Sequence, residues 1–95
     1  MLIETPYKIG DTVSIKLSSG EEVIARLEEE KADNLQLHKP LMVIANGQGL
    51  GLAPFMFTVN PDAKININTK NVLCIAKTIE EMAKQYISNT TGIVT

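Results

Sequence analysis

The sequence predicts a small, mainly β domain: a meander of antiparallel strands followed by one C-terminal α-helix. Three observations carry that prediction. In DTVSIKLSS, Val13, Ile15 and Leu17 alternate with Ser14 and Lys16, the period-two pattern of a strand with one buried face. EVIARLEEE repeats the pattern, with Val23, Ala25 and Leu27 on one side and Ile24 and Arg26 on the other. The chain then closes on TIEEMAKQYISNTTG, where Ile79, Met82, Ala83, Tyr86 and Ile87 recur at helical spacing.

Each element follows from local chemistry. SSGE turns the chain between the first two strands, because Gly20 takes a positive φ at little cost and the two serines tolerate turn geometry. KADN makes the next turn, after which Leu35 and Leu37 resume the alternation. In PLMVIA the alternation stops: Leu41, Met42, Val43, Ile44 and Ala45 are all apolar, so both faces of this strand need cover. LAPFMFTV repeats the demand with Phe55, Met56, Phe57 and Val59. Another subunit is the expected cover, and the C-terminal helix is the alternative. NGQGLG, between these strands, has neither the lysine nor the following helix of a phosphate-cradling loop, and is expected to be a mobile hairpin loop. Pro61 in NPDAK marks a further turn. INI and VLCIA flank NTKN, residues 68–71, and are expected to form a last hairpin. Thr78 followed by Glu81 reads as a capping box opening the helix. The helix is expected as a lid on the sheet, with a partner-binding role as the alternative.

Ninety-five residues make a single domain, 1–95, with the strands over about 8–77 and the helix over about 78–89. A domain this small leaves much of its surface exposed, and oligomerisation is one remedy. With 44% hydrophobic and 21% charged residues, the composition is that of a folded globular protein. No apolar run approaches the roughly 20 residues that span a bilayer. MLIETPYKIG lacks a basic leader followed by an apolar stretch, so no signal peptide is expected. The single cysteine, Cys74, lies in the apolar VLCIA and is expected to be a buried thiol; a cytoplasmic setting is the default. The net charge of −2 argues against gripping duplex DNA through its phosphates. Any nucleic acid would have to be held locally, as a single strand.

The inventory of reactive groups argues against an enzyme. His38 is the only histidine, and a Cys74–His38 nucleophile pair would need a buried thiol and a strand histidine to meet. No cysteine or histidine cluster has zinc spacing, so no metal or cofactor is expected. Glu28, Glu29 and Glu30 point to alternate sides of a strand and read as a solvated edge. Asn89-Thr90-Thr91 fits a glycosylation acceptor, but without a secretory route it is a coincidence of composition.

VSIKLSSGEEVIARLEEEKADNLQL resembles the first sequence block of the Sm-like (LSm) family: strand, glycine turn, second strand, then a loop ending in asparagine before an apolar strand. Ala25, five places after Gly20, stands where the family usually has a second glycine, and Asn34-Leu35 stands at its asparagine and apolar residue. INTKNVLCI resembles the second block, and the likeness covers roughly residues 11–77. More narrowly, the chain is similar to the small Sm-like proteins of marine cyanophages, which would put it in the host cytoplasm. The resemblance implies a strongly bent five-stranded antiparallel barrel, of SH3 type, assembled into a homo-oligomeric ring by pairing the fourth strand of one subunit with the fifth of the next.

It also implies binding of single-stranded, often uridine-rich RNA, with DNA as a second candidate, in a chaperone or processing role. Asn34 keeps the base-reading position. Ala32 stands at the stacking position and cannot stack, while Asn68 and Thr69 occupy the arginine and glycine positions of the second block. The expected contacts are therefore Asn34 and Asn68 on the base, with Lys31, Thr69 and Lys70 on phosphate or sugar. Repetition of Lys31 and Lys70 around a ring would concentrate positive potential in its pore. The alternative is a non-catalytic protein–protein ring, or phage assembly adaptor, that no longer binds nucleic acid.

Overall fold

The computed structural model describes residues 7–90. Residues 1–6, on which the expectation of no leader largely rests, and Thr91 of the acceptor triplet lie outside the described residues. The elements run β1 (Thr12–Leu17), β2 (Glu22–Glu30), β3 (Asn34–Asn46), β4 (Gly49–Pro54), β5 (Lys64–Asn68), a 3-10 turn (Thr69–Asn71), β6 (Val72–Lys77) and α1 (Glu80–Thr90). The strands form one antiparallel sheet in the order β4-β3-β2-β1-β6, with β5 also paired to β3. The mainly β class with a C-terminal helix is as the sequence predicted.

The Leu35/Leu37 alternation and the PLMVIA run are parts of one long strand, β3. Two separate segments return along it: β4 pairs its second half, from Asn46↔Gly49 to Leu41↔Pro54, and β5 pairs its first half, from His38↔Lys64 to Asn34↔Asn68. The six segments thus amount to five strands with the fourth broken in two. LAPFMFTV is accordingly not one strand. Phe55 N–H donates to Pro40 O at 3.3 Å, the last rung before residues 55–63 leave the sheet. Pro54 ends β4, consistent with a residue that has no N–H for a ladder. INI and VLCIA do not form a hairpin either: β5 pairs β3, β6 pairs β1, and the 3-10 turn carries the chain between them. NGQGLG is a two-residue turn, with Asn46 Oδ1 accepting from Gln48 N–H at 2.8 Å and Gly49 at φ 123°.

The core sits inside the curl of β1, β2, the first half of β3, and β5. Val13, Ile15, Val23, Ala25, Leu27 and Leu37 are wholly inaccessible, and Leu17, Leu35 and Ile67 join them. These are the inward residues of the predicted alternations. Burial of each large aliphatic side chain stabilises by about 1.5–3 kcal/mol. Ile24, on the opposite face of β2, is buried as well.

Cys74 is exposed rather than buried. The register sets it opposite Lys16 on the outward side of the β1–β6 pair, while Ile15 and Ile75 face each other one residue on. An apolar sequence neighbourhood did not reveal the parity of the strand.

The helix begins at Glu80, and the capping box does not form. The Thr78 hydroxyl is instead buried against Ser14 Oγ at 2.8 Å. Of the apolar stripe only Tyr86 is buried; Ile79 and Ile87 are largely exposed. Tyr86 does most to join the helix to the sheet. Its hydroxyl lies 2.9 Å from His38 O and 2.8 Å from Lys39 O, and accepts from Arg26 N–H at 3.2 Å. The β2–β3 register slips here, between Ile24 and Arg26, and Lys39 adopts a positive φ of 53°. The phenol therefore fills a gap in the ladder where β3 bends, satisfying backbone groups that would otherwise be buried unpaired. Burial pushes the Tyr86 hydroxyl up to about 12, against a lesser opposing effect of the Arg26 N–H. Lys39 Nζ reaches Thr90 O at 2.7 Å, tying the same bend to the helix C-terminus.

Candidate functional site

β3 and β5 run side by side with Leu35↔Ile67 and Leu37↔Ile65 in register. Leu35, Leu37 and Ile67 enter the core and Ile65 packs against it. Period-two geometry then turns the intervening residues outward. Asn34 lies directly opposite Asn68, and Gln36 opposite Asn66. These two rungs of amides, with Lys31 and Asp33 from the preceding turn, line an open pocket of about 380 Å³.

The loops on either side are locked together. Lys31 N–H donates to Asn34 O at 2.8 Å, closing the turn before β3. Thr69 N–H donates to Asp33 O at 3.0 Å and Thr69 Oγ1 to Ala32 O at 3.2 Å. Asn68 Oδ1 accepts from Lys70 N–H at 2.8 Å, capping the 3-10 turn. Asn34 Nδ2 donates to Asp33 Oδ1 at 2.9 Å. The last two bonds fix both amide orientations, since a carboxylate only accepts and a backbone N–H only donates. Asn34 is left with its oxygen and one N–H to offer, and Asn68 with its amide nitrogen and a second lone pair on its oxygen.

Of the five residues the sequence singled out, Lys31, Asn34 and Asn68 line the pocket. Thr69 stands beside it as a strut, its hydroxyl engaged with Ala32. Lys70 is exposed in the adjoining turn and makes no ion pair among the described residues. Lys31 is partly neutralised by Glu29, with Nζ 3.1 Å from Oε1. Asp33, Gln36 and Asn66 are pocket residues that sequence reasoning missed. The signal for two of them was present: once Leu35, Leu37, Ile65 and Ile67 are taken as inward, parity turns Gln36 and Asn66 outward, on the side of the two asparagines.

A second polar cluster lies on the same sheet at the bulge between Leu27 and Glu29. The Glu28 carboxylate is 3.4 Å from Arg26 Nε, 3.5 Å from Lys64 Nζ and 3.8 Å from His38 Nδ1. Glu28 is thus half-buried beside Arg26, Lys64 and the His38 ring rather than part of a solvated edge. Its neighbour Glu30 accepts from the Tyr7 hydroxyl at 2.8 Å; burial, then that carboxylate, raises the Tyr7 phenol above its ordinary value.

The sheet keeps open edges. Among the described residues β6 pairs only β1, and β4 and β5 each pair only β3. Apolar side chains crowd these edges: Leu73 on β6, Leu50 on β4, and Met56, Phe57 and Val59 in the segment after it are all exposed.

No family model matches the chain, and no curated protein does. Among solved structures the fold is similar to that of a heptameric archaeal Sm protein, with a TM-score of 0.53, 21% identity, and coverage of 74% of this chain and 88% of that one. At that identity the likeness is one of fold: a bent antiparallel sheet of the Sm type, carrying here one C-terminal helix.

Proposed function

We propose that this chain forms a homo-oligomeric ring that holds single-stranded nucleic acid, RNA in preference to DNA, in the amide pocket between β3 and β5. The observation that carries the reading is the convergence of Asn34, Asn68 and Lys31 from two separate loops onto one open pocket. Asn34 Oδ1 and Asn68 Nδ2 supply an acceptor and a donor for a base edge, and Lys31 and Lys70 lie within their loops to meet phosphate. Thr69 keeps the two loops in fixed relation. The role is non-catalytic: to hold or present a strand, as an RNA chaperone or processing factor does, in the cytoplasm.

The ring is supported by three features. The open edges of β4, β5 and β6 are available for strand pairing, and unpaired edges otherwise invite aggregation. Apolar side chains flank those edges. The solved structure of similar fold is heptameric. A cyclic ring needs one heterologous contact repeated about an axis, which a β4/β5 edge meeting a β6 edge supplies.

The Glu29–Lys31 ion pair and Asp33 beside the pocket favour a second reading, a protein–protein ring that binds no nucleic acid. Anisotropy with short labelled oligo-U, oligo-A and mixed strands separates the two. RNA binding predicts an affinity that falls with salt at a log–log slope of about −0.7 per phosphate neutralised. Replacing Asn34 and Lys70 together by alanine should abolish binding while light scattering shows an unchanged ring. Undiminished binding by that double variant would move the site elsewhere, and absence of any binding by the parent would leave the adaptor reading.

A further inference from the structure

We infer that Arg26, His38 and Lys64 form a phosphate subsite continuous with the amide pocket, and that Glu28 holds it in check; this rests on the nucleic-acid reading above. The register sets the three residues in one row across three strands, with Arg26 opposite His38 on one side and Lys64 opposite it on the other. His38 is the next outward residue of β3 after Asn34 and Gln36, and Lys64 the next of β5 after Asn68 and Asn66. Row and amides therefore share one face of the sheet. The rise of β3 from Asn34 to His38 is about 13 Å, so a short single strand seated on the amides reaches the row as well.

The charges of this row do not balance. Arg26 and Lys64 bring two cations, and among the described residues the only carboxylate in an ion pair with any of the three is Glu28, at 3.4 Å from Arg26, 3.5 Å from Lys64 and 3.8 Å from His38. The neighbouring acids are engaged elsewhere, Glu29 with Lys31 at 3.1 Å and Glu30 with the Tyr7 hydroxyl at 2.8 Å. The side chain of Glu28 is 21% exposed, against 58% for Arg26 and 54% for Lys64. The carboxylate is thus enclosed at the β2 bulge, while both cations can turn their heads to solvent on long stems. One carboxylate cannot use all the N–H groups of a guanidinium and an ammonium, so donors remain for a second anion. A phosphate seated here gains two cations and meets one anion. Glu28 weakens the subsite without closing it.

The test measures anisotropy of labelled oligo-U and mixed strands over a range of salt. Glu28→Gln should tighten binding about fivefold, the effect of removing one unit charge about 4 Å from a phosphate in water. Glu80→Gln removes a carboxylate paired with Lys84 at the start of α1 and should leave affinity unchanged. Arg26→Gln with Lys64→Gln should still bind at the amides, with a log–log salt slope shallower by about 0.7, the loss of one phosphate contact. A purely structural Glu28 would instead lower the unfolding midpoint in Glu28→Gln and tighten nothing. That result, an equal gain in Glu80→Gln, or an unchanged slope in the double variant would overturn the subsite and leave the proposed function standing. Failure of the parent and of Glu28→Gln alike to bind any strand would overturn both.

Discussion

The two halves of β3 both carry apolar residues, which end up in opposite surroundings. In Asn34–His38 the apolar side chains alternate with amides, and Leu35 and Leu37 are lost to solvent inside the curl. In Leu41–Asn46 the apolar residues run consecutively, and none is buried. With β4 that second half makes an arm bearing Val43, Ala45, Leu50 and Leu52 on one side and Met42 and Ile44 on the other. A pattern of alternation is satisfied within one chain. A pattern without alternation asks for more surface than one chain of this size can fold onto itself. The contrast makes the first half a source of protomer stability and leaves the apolar surface of the second half open to solvent.

The largest expected effect lies in the curl. Leu27→Ala should cost about 2–5 kcal/mol in denaturant unfolding, because a fully enclosed leucine leaves a cavity. Next comes the joint between the halves. Tyr86→Phe should cost about 1–3 kcal/mol by stranding the carbonyls of His38 and Lys39 and the Arg26 N–H. The same joint has a pH signature. The phenol is raised from its ordinary 10.0 to about 12 in the folded chain, so its contribution is complete below pH 10.0 and fades as pH climbs towards 12. A titration of helix content and unfolding midpoint over that window should show the loss in the parent and a smaller one in Tyr86→Phe, where Tyr7 is the remaining raised phenol. The smallest effect on the protomer belongs to the arm: Ile44→Lys with Leu50→Lys should change unfolding by less than about 0.5 kcal/mol, since both side chains already meet solvent. The same pair should break up the assembly in light scattering. An intact assembly carrying both lysines would remove the arm from the interface and dissolve the contrast.

The curl was legible in the sequence because its strands alternate inward apolar residues with outward ones; Ile24, outward on β2 and yet buried, is the exception. Val13, Ile15, Leu17, Val23, Ala25 and Leu27 are inward as their spacing requires. Parity failed where it had no alternation to work on. VLCIA has apolar residues on both sides, so nothing in it marked Cys74 as outward; the register against Lys16 did. Thr78 and Glu81 satisfied a local capping pattern, but Ser14, remote in sequence, took the hydroxyl. LAPFMFTV lost its continuity to Pro54, whose effect on the ladder was visible in the sequence and whose consequence, a return strand in two pieces, was not. At the candidate site the asparagines were found through a family likeness. Parity alone turns Gln36 and Asn66 outward, but placing them and Asp33 beside the two asparagines required the pairing of β3 with β5, a contact between distant segments.

Lys39 turns β3 with a backbone conformation that a non-glycine residue rarely takes, and the same residue anchors the end of α1. Amide ladder and arm are therefore two parts of a single strand, joined at a bend that the helix holds. The proposed strand and the proposed neighbour would thus meet one continuous backbone, not two separate elements.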